Sequence, residues 1–524
     1  MKIKRVFLIV LDSFGIGALP DAAAFGDKGS HTLRSVAGSP FFSAPNLTNL
    51  GLFDIEGTEG GKPSGSPLGV YGRAAEVSGG KDTIVGHWEL AGVASERPMP
   101  TYPDGFPQEL LDKIEAATGI GTLCNKPYSG TDVIRDYGEE QRRTGKMIVY
   151  TSADSVYQAA AHEDVIPLDA LYAYCEKARE ILRGEHAVGR VIARPYAGEY
   201  PSYTRTANRH DYALEAPAVT MLDELAQGGY ATITVGKISD IFAGRGVSRR
   251  IPTKSNADGL SKTDEVFAED FEGLCFVNLV DFDSQYGHRN DVDGYAKAIT
   301  EFDNWLGGFL PKLKADDLLI VTADHGCDPG NESTDHSREY IPILAYRKGI
   351  TPRRIGTRAT FSDVGKTVCH LFGVGEALPG TSFAGALLPP EASALIAAAK
   401  DAMQYAYAPY SGYTVGAALL CEDGEVVTGC NVESAAFSPT SCAERTALVK
   451  AMSQGKRRFT AIAVAGGRNG VPEAGCTPCG VCRQFLYELG GGDLTVILDK
   501  GNGETEICTL NDLLPRGFSG KSFL

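Results

Sequence analysis

A group of thiols near the carboxyl end of the chain has the spacing of a metal site. Cys442 stands two residues before Glu444, and Cys479 and Cys482 form a C-x-x-C pair in which one turn can hold one metal. Three thiolates leave a tetrahedral zinc with one open position, where a bound water ionises near neutral pH and acts as hydroxide. A closed structural clip that adds Cys476 is the alternative, but it leaves Glu444 without a task. The pattern therefore predicts a catalytic zinc site.

A second set of candidate ligands lies earlier in the chain, at or just beyond the ends of apolar runs. Taken singly, each is weak evidence, because an aspartate after a strand often only caps the next helix. Together they form two carboxylate and imidazole sets of the kind that hard to borderline divalent metals accept. Two metals a few ångströms apart can clamp the attacking and the leaving oxygen of a phosphoryl transfer. The candidates are Asp12, Asp283, His288, Asp324, His325 and His336.

Such a pair of metals requires a nucleophile between them, and Thr83 is the candidate. Residues 78–83 read Ser-Gly-Gly-Lys-Asp-Thr, which places the hydroxyl after a glycine pair and before a helical stretch. The N-terminus of a helix favours phosphate, so a phosphoryl group on this side chain is chemically supported. As an isolated residue, Thr83 would simply be a helix N-cap.

The elements that position these residues are predicted from apolar periodicity. Continuous apolar runs at 6–11, 274–280 and 318–322 each lead into aspartate, as buried parallel strands lead into ligands at the carboxyl edge of a sheet. Helical patterns over 215–226 and 295–310 lie between such runs. We therefore expect an α/β module with helices on both faces of the sheet.

The chain is long enough for several folding units. Its 524 residues exceed what one hydrophobic core usually serves. Between residues 102 and 216 the sequence changes to short segments rich in Tyr, Arg and Pro, which predicts an inserted α/β cap domain in a core formed by 1–101 and 217–388. A proline pair at 389–390 then precedes an alanine-rich helical stretch. We expect a second module over 391–524.

Composition restricts the partners and the location. The net charge of −16 opposes the counterion release that drives nucleic-acid binding, so small metabolites rather than nucleic acids are the expected substrates. No apolar stretch reaches the roughly 20 residues of a membrane span. Asp12 ends the first apolar run before a signal peptide could be completed. Clustered cysteines in a long chain indicate metal binding rather than disulfides, and we expect a cytoplasmic protein.

Residues 391 to 520 closely resemble the small homotetrameric cytidine deaminases. The matching segments are Tyr-Ala-Pro-Tyr-Ser at 407–411, Val-Gly-Ala-Ala at 415–418, Asn-Val-Glu at 431–433, Cys-Ala-Glu-Arg at 442–445 and Pro-Cys-Gly-Val-Cys-Arg-Gln at 478–484. The resemblance implies a three-layer α/β/α domain that deaminates cytidine or deoxycytidine by hydrolysis. In that chemistry zinc hydroxide attacks C4 of cytosine while a glutamate, here Glu444, moves the protons.

The same resemblance assigns roles to further residues. Asn431 and Glu433 would hold the ribose hydroxyls, although by position both could be turn residues. Arg445 would offset the negative charge of the thiolates, which otherwise weakens the acidity of the bound water. Phe518 would enter the pyrimidine pocket of a neighbouring subunit, so we expect a homo-oligomer through this module. Arg516 stands where the family has a small residue, and Phe518 could instead be a core residue near a frayed terminus.

Residues 1 to 388 resemble phosphopentomutase, a member of the alkaline-phosphatase superfamily. The matching segments are Leu-Asp-Ser-Phe-Gly-Ile-Gly at 11–17, Gly-Lys-Asp-Thr at 80–83, Gly-His-Trp-Glu at 86–89, Asp-Phe-Asp at 281–283, Gly-His-Arg at 287–289 and Thr-Ala-Asp-His-Gly at 322–326. The resemblance implies a doubly wound sheet, two manganese ions and interconversion of ribose or deoxyribose 1-phosphate and 5-phosphate through phosphorylated Thr83. A sugar bisphosphate activator is compatible with it.

The resemblance also divides the ligands between two metals and implies a function for the cap. It assigns one metal to Asp283, His288 and His336 and the other to Asp12, Asp324 and His325, and it leaves Asp281 structural. The cap would keep water from the phosphoenzyme and bind the distal phosphate. Its arginines can grip a phosphate in a bidentate manner, although a solvated arginine face is the alternative. The cap residues concerned are Asp154, Arg190 and Arg205, which the resemblance favours, together with Arg194 and Arg209.

Two other functions remain open at this point. The first module could be a related phosphatase or a cofactor-independent phosphoglycerate mutase, which uses serine where Thr83 stands. Alternatively, one module could be a non-catalytic scaffold for oligomerisation. All expected catalytic positions are present in both modules, which argues against a scaffold. The sequence therefore predicts a bifunctional enzyme that acts on nucleosides and pentose phosphates.

Overall fold

The computed structural model describes residues 3–152, 154–388, 391–436, 438–501 and 504–520. The proline pair at 389–390, where the sequence places the joint between the modules, lies outside the described residues. The described strands are β1 Arg5–Leu11, β2 Val70–Ala74, β3 Thr122–Pro127, β4 Met147–Thr151, β5 Val156–His162, β6 Arg190–Ala197, β7 Thr204–Arg205, β8 His210–Ala213, β9 Ala231–Val235, β10 Arg249–Ile251, β11 Gly273–Leu279, β12 Asp317–Thr322, β13 Ile341–Tyr346, β14 Arg353–Arg358, β15 Tyr413–Cys421, β16 Val426–Cys430, β17 Phe459–Arg468, β18 Thr495–Asp499 and β19 Thr505–Thr509.

Helices alternate with these strands along most of the chain. Short 3-10 and π turns occur between them. The α-helices are α1 Thr32–Ala37, α2 Pro45–Leu50, α3 Thr83–Leu90, α4 Gln108–Thr118, α5 Asp132–Thr144, α6 Leu168–Ile181, α7 Met221–Gln227, α8 Ile238–Ile241, α9 Asn256–Phe267, α10 Val292–Phe309, α11 Ser362–Phe372, α12 Ala384–Leu387, α13 Ala392–Met403, α14 Ala443–Ser453, α15 Gly480–Gly490 and α16 Leu510–Leu513. Among them, none is long and apolar enough to cross a membrane.

The strands form three sheets, and the α/β class predicted from the sequence is confirmed. The largest sheet has eight strands in the order β10-β9-β11-β1-β12-β13-β2-β14. Strand β1 pairs in parallel with both β11 and β12, and all of its residues are buried. Continuous apolar strands of this kind are typical of parallel sheets covered on both faces. The carboxyl ends of β1, β11 and β12 therefore meet at one edge, where the ligand segments begin.

The segment between residues 102 and 216 has a sheet of its own. Strands β3 to β7 follow one another in this sheet, and β8 pairs with β6. Helices α4 and α6 cover one face with a separate apolar core. Helix α5 covers part of the other face. The strand register places Tyr150, Arg194 and Arg205 on this same face.

The second module contains a five-stranded sheet in the order β16-β15-β17-β18-β19. Helix α13 packs on one face of this sheet. Helices α14 and α15 pack on the other, which gives three layers. The predicted helix after the proline pair is present, and it ends at Met403.

The predicted helix over 215–226 is wrong at its start, because α7 begins only at Met221. Thr220 caps this helix in a reciprocal capping box with Asp223, which satisfies two backbone donors that a longer helix would have used internally. Pro217 also disfavours a helical conformation at Ala216.

The two modules meet along β14, the edge strand of the eight-stranded sheet. Arg458 of the second module donates hydrogen bonds to the carbonyl oxygens of Ile355 and Thr357. Arg353, on the same strand, donates to the carbonyl oxygen of Thr460 at 2.9 Å. The contact thus consists of directed polar interactions as well as packing.

Candidate active sites

The first ligand set lies at the ends of β1 and β12. His325 Nε2 is 3.5 Å from Asp12 Oδ1 and 3.3 Å from Asp324 Oδ2, and all three side chains are buried. Ser13 has a φ of 68°, a left-handed conformation, and its amide donates to Asp324 Oδ1 at 3.0 Å. This turn of the backbone after Asp12 therefore links the carboxyl ends of β1 and β12.

The second ligand set is centred on Asp283, which follows β11 in a single π turn, Phe282–Tyr286. His288 Nε2 lies 3.2 Å from Asp283 Oδ2, and His336 Nε2 lies 3.4 Å from Asp283 Oδ1. The rings of His325 and His336 are 4.0 Å apart, so the two sets are adjacent. Asp281 instead accepts a hydrogen bond from the amide of Asn256 at 2.7 Å. The structure thus brings together all six predicted ligands.

The chemistry of these donors fits metal ions. Among the described residues, Asp12 Oδ1, Asp283 Oδ1, Asp324 Oδ2 and His336 Nε2 are buried and make no well-formed hydrogen bond; the nearest ion-pair partner of each lies 3.1–3.5 Å away. Each such atom costs about 1–3 kcal/mol unless something binds it. Burial and the adjacent Asp324 raise the pKa of Asp12. Burial would also raise the pKa of Asp283, but the neighbouring His336 and His288 hold it well below its ordinary value. A bound divalent cation would offset the mutual repulsion of these carboxylates.

Thr83 faces the ligand cluster from the start of α3. Its Oγ1 lies 3.1 Å from His325 Nε2. Asp82, rather than Thr83, is the N-cap, because its carboxylate accepts from the amides of Ile84 and Val85. The threonine hydroxyl is consequently not needed for capping.

Sequence reasoning missed two polar residues that support this cluster. Asn278 Nδ2 donates to Asp12 Oδ2 at 2.8 Å. His87 Nδ1 lies 2.8 Å from the carbonyl oxygen of Thr83 and 3.1 Å from Asp324 Oδ2. For Asn278, the sequence signal was a single side-chain amide inside the apolar run that forms β11. His87 belongs to the segment 86–89 that carries the family resemblance.

A cavity of about 330 Å³ lies between the cap and Thr83, and both Asp154 and Arg190 line it. Arg205 is not among the described residues that line this cavity; it donates to the carbonyl oxygen of Gly130 at 3.2 Å. Arg194 shares its face of β6 with Arg190, since their positions differ by four. Burial and the nearby arginines lower the pKa of Arg194. The cap arginines therefore form a row that only partly reaches the cavity.

Cys442, Cys479 and Cys482 converge at two helix starts in the second module. Cys442 occupies the N-cap position of α14 and Cys479 that of α15, and their sulfurs are 3.8 Å apart. The three sulfurs all lie within 4.8 Å of one another. Cys476 is not part of this group among the described residues; it is buried against Gly466. The arrangement fits a three-thiolate site with an open position better than a closed clip.

Glu444 and Arg445 flank the thiols. Glu444 is buried, and burial raises its pKa to about 7, which suits a group that takes up and returns a proton near neutral pH. A hydrogen bond from Cys482, with the positive charge of Arg445, lowers the pKa of Cys442 to about 6. Arg445 itself donates to the carbonyl oxygen of Thr440.

The remaining predicted residues of this module lie around the same face. Asn431 donates to the carbonyl oxygen of Tyr413 and accepts from the amide of Val415, so its amide group fixes the start of β15. Glu433 accepts from the amide of Tyr410 at 3.0 Å. Phe518 is 54% exposed, which disagrees with the alternative of a core residue.

Comparison with known proteins assigns the two modules separately. The model of the Metalloenzyme superfamily matches residues 4–376, and the model of the cytidine and deoxycytidylate deaminase zinc-binding region matches residues 390–498. The chain is thus a metalloenzyme that carries a zinc-binding deaminase domain.

Individual relatives define the families more closely. Phosphopentomutase of Lachnoclostridium phytofermentans is 57% identical over 382 residues, which are 72% of this chain and 98% of that protein. Phosphopentomutase of Acetivibrio thermocellus is 54% identical over 387 residues, 74% of this chain and 100% of that protein. The crystal structure of cytidine deaminase from Burkholderia pseudomallei is 48% identical, with a TM-score of 0.23, and covers 24% of this chain and 97% of that chain. The chain belongs to the phosphopentomutase family and ends in a member of the cytidine deaminase family, which confirms the predicted fusion.

Proposed function

We propose that the chain is a bifunctional enzyme that isomerises pentose phosphates in its first module and deaminates cytidine or deoxycytidine in its second. The observation that carries this proposal is the presence, in one chain, of Thr83 against two adjacent ligand sets and of Glu444 against three thiols. The names of the relatives support both activities.

In the first module, phosphorylated Thr83 gives its phosphoryl group to the free hydroxyl of a ribose or deoxyribose monophosphate. The resulting bisphosphate turns round and returns its other phosphoryl group to Thr83, so no phosphate is lost. Two manganese ions, divided between the ligand sets as the resemblance implies, would neutralise charge on the transferring group. Asp154 and Arg190 bind the sugar and its distal phosphate in the cavity. The family resemblance assigns Arg205 to the same phosphate, although it lies outside this cavity in the structure. A sugar bisphosphate would serve as activator.

In the second module, Glu444 takes a proton from the attacking water and delivers it to the amino group that leaves the cytosine ring. Zinc held by Cys442, Cys479 and Cys482 would supply the Lewis acid that acidifies this water. Arg445 compensates the thiolate charge. Asn431 and Glu433 bind the ribose.

We further propose that this module assembles the protein into a homo-oligomer. A contiguous exposed apolar patch marks an interaction surface, and we propose that exposed apolar side chains of this module form one. Phe518 is among those exposed in this module and would complete the pyrimidine pocket of a neighbouring subunit. They are Tyr405, Tyr407, Tyr410, Val426, Val432, Val449, Val471, Val481, Ile507 and Phe518.

The proposal includes the domain boundaries and the location of the protein. The core comprises 1–101 and 217–388, the cap 102–216 and the deaminase domain 391–524. Nucleosides and pentose phosphates are the partners, and a cytoplasmic location remains a prediction.

The decisive experiment compares the wild-type chain with Thr83→Ala in two assays. Conversion of ribose 1-phosphate to ribose 5-phosphate should fall by at least about a thousandfold, because the variant has no phosphoryl acceptor. Cytidine deamination should be unchanged, since Thr83 belongs only to the first module. Release of inorganic phosphate by the wild-type chain, without isomerisation, would favour a phosphatase. Undiminished isomerisation in the variant would contradict the mechanism.

A further inference from the structure

A buried charge cluster lies where the two modules meet. Arg358, at the end of β14, is 2% exposed; its Nε donates to Asp363 Oδ2 at 2.7 Å, and its guanidinium also donates to Glu422 of the second module. Glu422 is itself buried, and Arg458 Nε lies 3.9 Å from its carboxylate. Removal of one partner from such a cluster leaves an uncompensated buried charge. Glu422 thus fixes the end of β14 from outside the first module.

The segment that follows Arg358 leads directly to a second buried carboxylate, that of Glu89 on α3. Glu89 Oε1 accepts from the hydroxyl of Thr360 at 2.8 Å and from the amide of Phe361 at 3.0 Å. The same carboxylate accepts from the amides of Val77 at 3.1 Å and Ser78 at 2.8 Å. Glu89 therefore joins the segment after β14 to the loop that precedes Thr83.

The carbonyl groups of that loop are held from the other side by Arg338, which is also buried. Its guanidinium donates to the carbonyl oxygens of Ser78 at 2.7 Å, Gly80 at 2.8 Å and Glu76 at 3.1 Å. The loop thus has amides bound by Glu89 and carbonyl oxygens bound by Arg338. Buried backbone groups require such partners, and here the partners define where the loop can lie.

From these contacts we propose that the deaminase module is a positioning partner for the nucleophile of the mutase module. Glu422 fixes Arg358 and the segment 358–361, and through Thr360 this segment holds Glu89 against the loop that places Thr83. Glu422, Thr360 and Glu89 are positioning residues, since they act through other groups. The phosphopentomutases of L. phytofermentans and A. thermocellus match 382 and 387 residues of this chain over 98% and 100% of their own lengths, which leaves no length in them for a second module. The support from Glu422 is therefore a feature of the fused chain.

Phosphoryl transfer is sensitive to such positioning. A displacement of about 1 Å at a reacting group can cost on the order of a hundredfold in rate. Looser positioning should lower kcat more than it raises KM, because none of the three side chains lines the cavity for the substrate among its described residues. It should leave deamination unchanged, since Glu444 and the thiols lie in the other module.

The experiment uses the full chain and two matched pairs of variants. Thr360→Val removes the hydroxyl donated to Glu89, and Thr360→Ser keeps it. Glu422→Gln removes the charge opposite Arg358, and Asp423→Asn removes a neighbouring charge that pairs with Lys456 inside the second module. We expect kcat for isomerisation to fall about tenfold in Thr360→Val and about threefold or more in Glu422→Gln, with both controls within about twofold of wild type. The double variant should lose less than the product of the single losses, because both act through one chain of contacts.

Hydrogen exchange of the loop amides provides a readout that does not depend on activity. The kinetic measurement rests on the proposed mutase function, whereas the exchange measurement does not. If the proposed function is wrong, the wild-type chain will show no isomerisation, and the exchange measurement still tests the positioning proposal. The amides of Val77 and Ser78 should exchange at least about threefold faster in Glu422→Gln and Thr360→Val than in their controls. Unchanged exchange at these amides in Glu422→Gln, or multiplicative kinetic losses in the double variant, would overturn the proposal.

Discussion

Thr83 and Glu444 owe their proposed roles to their surroundings. Thr83 begins α3 with Asp82 as the cap, so its hydroxyl faces His325 instead of the helix backbone. Glu444 lies in the first turn of α14, where burial raises its pKa to about 7. In both cases a common side chain is placed at a helix start beside candidate metal ligands, and the helix start itself favours negative charge.

Glu444→Gln should abolish deamination while zinc remains bound. The substitution removes the group that moves protons and leaves all three thiols, so we expect a loss of at least about a hundredfold in kcat. Zinc content per chain, measured by elemental analysis, should equal that of the wild type, and isomerisation should continue. A chain that loses zinc together with activity would identify Glu444 as a ligand.

Glu339 should make the stability of the first module depend on pH. It is buried with hydrogen bonds from Gly17, Thr32 and Ser337, and burial raises its pKa from 4.5 to about 6. The folded state therefore binds this proton more tightly than the unfolded state. The resulting stabilisation is complete below pH 4.5 and is lost as the pH rises through 6, which amounts to about 2 kcal/mol.

This prediction is checked by urea unfolding in excess chelator, which removes any contribution of metal binding. Between pH 4 and 7 the wild-type chain should lose about 2 kcal/mol of unfolding free energy relative to Glu339→Gln. Parallel pH profiles for the two proteins would show that this carboxyl does not titrate as its burial implies.

The residues with sequence signals were those that follow strands or belong to dense motifs. The six candidate carboxylate and histidine ligands lie together in the structure, as their positions at or beyond strand ends predicted, and the three thiols lie together as their spacing predicted. Arg338 gave no such signal, because its partner Ser78 lies 260 residues away. Glu89 belongs to the motif at 86–89, but its contact with Thr360 spans 271 residues and was not predicted. Contacts of that kind arise from packing and cannot be inferred from local pattern.

At the scale of elements, strands were easier to predict than helix boundaries. The runs that became β1, β11 and β12 are buried on both faces, so their apolar sequence is continuous and their ends are marked by polar ligands. The start of α7 was misplaced because a capping box, rather than periodicity, sets it. The cap arginines were predicted as phosphate-binding residues, but their arrangement on β6 and β7 and their distance from the cavity depend on how the cap folds and lies over the core.

Helix α3 must approach β12 closely for Thr83 to meet His325. A Cβ atom at Gly86 would lie 2.1 Å from the carbonyl oxygen of Asp324, whereas one at Gly308 on α10 would meet nothing within 4 Å. Gly86→Ala should therefore push α3 from the ligand cluster and lower isomerisation by at least about tenfold. Gly308→Ala is the control; it should leave activity unchanged and stabilise the protein by up to about 1 kcal/mol. Equal activities in steady-state assays would contradict this account of Gly86.

At the scale of the whole molecule, the two metal sites should differ in how easily they are emptied. Carboxylate and histidine ligands hold manganese less tightly than three thiolates hold zinc. A mild chelator should therefore abolish isomerisation at concentrations that leave deamination intact, and added manganese should restore the loss. Both activities can be followed in one chelator titration. Parallel loss at every concentration would argue against two sites of unequal affinity.

The contact between the two modules along β14 also affects self-association of the protein. The edge strand of an open sheet offers unpaired backbone groups to any other strand, and this is a common start of aggregation. Here the carbonyl oxygens of Ile355 and Thr357 already accept from the guanidinium of Arg458. A guanidinium satisfies these acceptors but offers no backbone on which a further strand could be added. The deaminase module thus shields an open sheet edge of its neighbour for as long as the two remain docked.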